Sequence, residues 1–367
     1  MKIKKLETFT KPFVSFLKIT LEDGSVGLGQ MSTYNANITA EIFHTQVAPW
    51  VLGKNFEKFE EIETFILEKE HKFPGSYILR ALAGLDTALW DLKGKMFQKP
   101  VVQLIGGETG FLRIYGSSMK RNIHPIDEAN RFKTLQDVKG VDAFKYRIGS
   151  ECGRGKDEWE GRSEEIIKTI NKELNLSTSK LVDANSCYSS KQAIEIGKIL
   201  EDNNVSHFEE PCPYWEPEET KKVTDKLKID VTGGEQDTDF RIWKEMINNK
   251  VVNIFQPDIM YMGGLTRTLK LAKMIENAGY KCTPHAANLS LVTVCTMHFL
   301  KAIPNAGNYL EFSIEGDDYY PWQKNLFKTD PFKIIDGKVN ITDDPGWGVE
   351  INDKWLENSN YKISELN

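Results

Sequence analysis

Three acidic residues recur at one interval. Asp183 lies in the run KLVDAN, Glu209 in HFEEP and Glu235 in TGGEQ, each of the last two standing 26 residues after the one before. A short apolar run that ends in polar residues reads as a buried strand opening into a loop. The interval therefore puts one carboxylate at the C-terminal end of each of three successive strands. Carboxylates gathered in one place repel one another unless a cation sits among them. An all-oxygen donor set suits a hard divalent ion such as Mg²⁺, completed by water and substrate oxygens. One acid after a strand is as readily a helix cap, but three at a constant spacing on one face fit that reading poorly. Glu210, beside Glu209, is expected to face away, because consecutive strand residues alternate sides.

The series continues along the chain. Asp258 follows Gln256-Pro257, and His285 follows Thr283-Pro284 at an interval of 27. A carboxylate beside an imidazole on the next strand orients the ring and raises its basicity, so His285 is the candidate base and Asp258 its partner. His207, two residues before Glu209, reads as structural, and so do the remaining histidines. In FKYR, Lys145 and Arg147 share one face, and two cations facing a common mouth suit a substrate carboxylate. Asn185 shares the face of Asp183, and Glu311 in YLEFS is the inward candidate on the last strand. Tyr34, in a loop read over residues 24–35, is a candidate substrate contact. A polar loop over 149–162 is a second candidate for substrate selection, with Arg154 as a further source of positive charge.

Something must hold these groups together. From about Leu112 the pattern runs strand, helix, strand, helix, with Ser189 and Ser190 placed to cap one helix. A unit of about 30 residues repeated in this way fits a closed parallel barrel, whose active sites lie at the C-terminal ends of the strands. An open doubly wound sheet would be supported by a glycine-rich phosphate loop, and neither GxGxxG nor GxxxxGK[ST] occurs. Before the barrel, residues 2–31 alternate like a meander with a turn at Asp23-Gly24, and helical spacing follows to about Lys93. After about Pro331, FKIIDGKVNI and GWGVEI read as strands packing back on the N-terminal region. The expected domains are 1–112, 113–325 and 326–367.

Composition narrows the partners. The 367 residues are 40% hydrophobic and 27% charged, with a net charge of -6 scattered along the chain. No basic stripe for nucleic acid is present, and no apolar run is long enough to span a membrane. Five widely spaced cysteines without a CxxC motif are expected as free thiols in a reducing cytoplasm.

Together these residues resemble the enolase superfamily, and within it the mandelate racemase-like subgroup. The likeness covers nearly the whole chain, from the helix LRALAGLDTALWDLKGK to the closing PGWGVEI. It implies a modified TIM barrel, (β/α)7β, under an α+β capping domain built from the N-terminal region and the C-terminal tail. It also implies Mg²⁺ on Asp183, Glu209 and Glu235, removal of the proton α to a substrate carboxylate, and a homo-oligomer. The subgroup's second-strand motif is Lys-x-Lys, its second lysine a base; here it is Lys145-Tyr146-Arg147. An arginine is a poor base at neutral pH, which disfavours two-base racemisation. Dehydration of an acid sugar to a 2-keto-3-deoxy acid is therefore expected, with His285 as base and then acid. Lys145 and Arg147 would bind carboxylate or hydroxyl groups, with Lys145 as reserve base, and Glu311 would bond the substrate carboxylate. A racemase, epimerase or cycloisomerase on the same scaffold, an inactive acid-binding barrel and a Schiff-base aldolase using Lys145 are the alternatives.

Overall fold

The computed structural model describes residues 2–55 and 59–366. Alternating apolar and polar residues form β1 (Ile3–Thr10), β2 (Ser15–Leu21) and β3 (Val26–Gln30), an antiparallel meander whose β2–β3 turn is pinned where Asp23 accepts from the Ser25 N–H at 3.0 Å. The segment 24–35 is thus not one loop, since its middle is β3. A long helix, Ser76–Phe97, lies on this sheet with its apolar face buried. The approach is so close that a Cβ on Gly27 or Gly29 would stand 2.2 or 2.1 Å from the helix carbonyls of Ala88 and Gly84. Glycine is required there.

Eight parallel strands follow: β4 (Gly110–Ser117), β5 (Ala143–Arg147), β6 (Ser179–Asp183), β7 (His207–Glu209), β8 (Asp230–Gly233), β9 (Ile254–Phe255), β10 (Lys281–Cys282) and β11 (Leu310–Ser313). They pair in sequence, and β11 returns to pair with β4. Between β10 and β11 the ring closes through the segment before β11, where the Gly307 N–H donates to the Cys282 carbonyl at 3.1 Å. Seven helices alternate with the strands, starting at Pro125, Arg162, Ser190, Pro217, Phe240, Leu265 and Leu291. This is the (β/α)7β arrangement. The helix after β6 opens on a capping box, Ser189 with Gln192, which satisfies two otherwise open backbone donors.

The tail departs from expectation in two ways. The segment GWGVEI is not a strand. It is held by Trp347, whose N–H meets Asp91 at 3.0 Å and whose indole donates to the Thr87 carbonyl at 2.9 Å, both on the long helix. The strand β12 (Lys338–Ile341) pairs not with the N-terminal sheet but antiparallel with Gly110–Arg113 of β4. That half of β4 runs ahead of its pairing with β5 and β11, so its edge is open and β12 fills it. Only β13 (Asn360–Glu365) returns to the N-terminal sheet, beside β1. All five cysteines are free thiols. Among the described residues no helix is long and apolar enough to cross a membrane.

Candidate active site

Strand register sets the first layer of the site. Arg147 on β5 stands opposite Asp183 on β6, and Asp183 opposite Glu209 on β7. On β8, Glu209 faces Thr232, and Glu235 arrives three residues later after Gly233-Gly234. Gly234 has φ +112, and a Cβ there would meet the Trp243 ring at 2.5 Å, so this exit from the strand needs glycine. All four side chains are almost fully buried. Arg147 pairs with Asp183, and its Nε donates to the Ser118 carbonyl at 3.0 Å. Lys145 has no exposure and donates to both oxygens of Glu209 at 2.8 Å and to Glu311 at 2.7 Å. Burial alone would lower the Lys145 pKa, but Glu209 and Glu311 outweigh it and push it above the usual lysine range.

That geometry redirects two expectations. Lys145 is spent on carboxylates and does not line the cavity, so it has no access to a substrate proton. Glu311 does not reach the cavity described below. One of its oxygens takes Lys145 and the Ser117 hydroxyl at 2.8 Å, and the other takes the Ala286 N–H at 2.8 Å. It therefore holds the lysine rather than standing free for a substrate. His207 bonds Thr232 at 2.8 Å and Glu209 at 3.4 Å, a positioning contact.

The imidazole of His285 stands apart from this lattice. The β9 and β10 pairing persists past the strands as a bridge between Asp258 and His285. The Nδ1 of His285 lies 2.8 Å from Asp258 Oδ2. The other oxygen of Asp258 accepts from the Met260 and Tyr261 N–H groups at 2.7 and 3.0 Å. A carboxylate only accepts, so Nδ1 carries the hydrogen and Nε2 is left to face the cavity. There it lies 3.6 Å from Glu235. Burial would lower the His285 pKa, but Glu235 and Asp258 raise it to about 10.

A cavity of about 320 Å³ opens over these groups, at the small end of small-molecule sites. His285, Arg147, Asn185, Glu235 and Tyr34 of the expected residues line it. Asn185 turns on a positive φ of 42° and is tied to Asp183 through its own N–H at 2.7 Å. Tyr34, also at positive φ, packs on Phe13 with ring centres 4.6 Å apart. Arg154 is not in the lining. It is exposed and pairs with Glu151 at 3.8 Å, although Cys152 of the same loop does reach the cavity. Two further lining residues with acidic or basic side chains were not expected. Glu210 turns inward because its φ is +41°, which breaks the strand alternation, and its Oε1 is buried without a partner. Arg121, in the loop after β4, sits in no repeated motif.

The charge balance tests whether a cation fits. Asp183, Glu209, Glu210, Glu235, Asp258 and Glu311 are all buried, against Lys145, Arg147 and His285. Burial raises the Glu235 pKa, with His285 opposing it and Glu209 adding to it. Burial together with Glu235 and Glu209 pushes Glu210 well above the carboxylate range. The acids outnumber their partners. Asp183, Glu209 and Glu235 are all-oxygen donors suited to a hard divalent ion. As they stand, with Arg147 on Asp183 and Lys145 on Glu209, no three acidic, histidine or cysteine side chains among the described residues are grouped closely enough to hold one.

Comparison with known proteins agrees with this architecture. Residues 127–355 match the enolase C-terminal domain-like family, and residues 4–106 the mandelate racemase/muconate lactonizing enzyme N-terminal domain. A crystal structure from Roseobacter denitrificans, provisionally named a racemase, is 56% identical with a TM-score of 0.98, covering 100% of both chains. A mandelate racemase/muconate lactonizing protein from Paracoccus denitrificans, solved with magnesium, is 26% identical with a TM-score of 0.88, covering 100% of this chain and 99% of that one. Arabinonate dehydratase from Saccharolobus solfataricus is 25% identical over 351 residues, 93% of this chain and 88% of that protein. This chain belongs to the mandelate racemase-like group of the enolase superfamily.

Proposed function

We propose that the protein dehydrates an acid sugar to a 2-keto-3-deoxy acid, with Mg²⁺ held by Asp183, Glu209 and Glu235. The observation that carries this reading is the single base. His285 presents Nε2 to the cavity, while Lys145 is locked between Glu209 and Glu311 and Arg147 is a guanidinium paired with Asp183. Two-base inversion of a carbon centre has no second unpaired base facing the cavity among these three. The dehydratase name of the Saccharolobus relative and the magnesium in the Paracoccus protein support the same reading. The name given to the Roseobacter protein favours an isomerase as the second reading.

Mg²⁺, when bound, would supply Lewis-acid stabilisation of charge developing on the substrate carboxylate. His285 Nε2 takes the C2 proton, and the electron pair of that bond forms an enediolate. Asp258 holds the ring and balances the imidazolium. The protonated His285 then gives its proton to the C3 hydroxyl as the C3–O bond breaks, and one water leaves. The resulting C2–C3 enol becomes the 2-keto acid as C3 gains a proton. Purified protein with Mg²⁺ and a library of mono- and diacid sugars, read with semicarbazide, is expected to give a 2-keto product that EDTA abolishes. Turnover undiminished in EDTA, or no 2-keto product from any acid, would overturn the reading.

A further inference from the structure

The cavity holds a cation that the chemistry above does not use and that no acid among the described residues pairs with. Arg121 lines it beside Tyr34, Tyr214 and Tyr319. One of its Nη groups donates to the side-chain oxygen of Asn185 at 2.5 Å. Arg147 donates to that same oxygen at 2.7 Å. The rest of Asn185 is spent on Asp183, at 2.7 and 3.2 Å. Two guanidinium groups thus converge on one neutral amide. Arg147 has Asp183 to balance it, but among the described residues no carboxylate pairs with Arg121. Glu210 and Glu235 line the same cavity and do not reach it. Its Nε is buried with no hydrogen-bond partner. Burial, with Arg147 adding to it, lowers the Arg121 pKa to about 10, as expected of a charge without a counterion.

Even a half-buried charge without a counterion is costly, and here the missing partner has a shape. The second Nη group of Arg121 makes no hydrogen bond among the described residues, and guanidinium N–H donors presented to a cavity match the oxygens of a planar carboxylate. A sugar hydroxyl would leave the charge unbalanced, and a phosphate dianion would bring one charge too many. On the acid-sugar reading above, Mg²⁺ would take the carboxylate beside the α-carbon, which leaves Arg121 for a group elsewhere on the substrate. Resting on the acid-sugar reading, we infer that Arg121 receives a second, distal carboxylate, so that the substrate is a dicarboxylic acid sugar. The three neighbouring tyrosines supply hydroxyls for the polyol between the two ends.

The test compares aldarates with the aldonates of the same hydroxyl configuration, in Mg²⁺. Rates are read both as 2-keto product and as exchange of the α-proton in D₂O. The wild-type protein is expected to favour the diacid in kcat/KM by roughly 100-fold, the scale of a lost charge-assisted bidentate pair. In Arg121→Gln the diacid-to-monoacid ratio is expected to collapse toward one, with Arg121→Lys in between. A purely structural role would lower both substrates alike and leave the ratio in place. Equal or better turnover of monoacids by the wild type, preference for a phosphorylated aldonate, or an unchanged ratio in Arg121→Gln would overturn the inference. Should that variant fail to fold, the wild-type ratio decides alone. Diacid-selective α-exchange without a 2-keto product would uphold the role of Arg121 and remove dehydration. Monoacid dehydration would do the reverse, and no calorimetric binding of either acid class would remove both.

Discussion

His285→Asn is expected to lower turnover by about 10³-fold or more while the protein stays folded, because on the proposed mechanism it removes the side chain that accepts the α-proton. General acid–base groups contribute roughly 10²–10⁴-fold, and here one imidazole acts in two steps. The substitution keeps size and polarity, so the cavity and the buried carboxylates persist. Asp258→Asn should cost less, about 10²-fold. The amide can still meet the ring but can offer it a donor where Nδ1–H needs an acceptor, and so disturbs the tautomer at the observed 2.8 Å contact. Initial rates under saturating Mg²⁺ check both, with circular dichroism to confirm the fold. A His285→Asn protein with wild-type rates would remove the base from the scheme.

Lys145→Met produces the second large effect, and it is one of stability. Lys145 lies 2.8 Å from Glu209 and 2.7 Å from Glu311, with no exposure on any of the three beyond 1%. Its loss leaves two buried acids facing each other. Breaking a buried pair in this way costs about 3–5 kcal/mol, read as a lowered urea midpoint. Adding Glu311→Met to the same protein is expected to recover part of that loss, because it removes one of the stranded charges. A catalytic lysine would behave differently: activity would vanish while the midpoint stayed put. An unchanged midpoint in Lys145→Met would therefore return the lysine to the list of bases.

How much of this could be read without coordinates depends on the repeat. The strand-end positions of Asp183, Glu209, Glu235, Asp258 and His285 were legible because a barrel returns the chain to the same rim once per strand and helix, so that rim residues recur at a near-constant interval. The (β/α)7β order was legible for the same reason. Residues outside that periodicity were not. Arg121 lies in a loop with no spacing to mark it. Glu210 was expected to face away because alternation holds only while the backbone is extended, and its left-handed φ ends the strand one residue early. Glu311 was placed on the correct face, but facing inward in a barrel also means facing the side chains of other strands, and Lys145 is nearer than any ligand. The turn at Asp336-Gly337 announces a strand without saying which edge receives it, so β12 was sent to the wrong sheet.

One-base elimination is most directly tested by proton NMR of the best acid substrate turning over in D₂O with Mg²⁺. The predicted result is a 2-keto-3-deoxy acid formed with loss of one water per turnover, while unreacted substrate keeps its configuration at the α-carbon. Accumulation of the α-epimer carrying deuterium, with no 2-keto product, would contradict it and place a second base on the opposite face of the substrate.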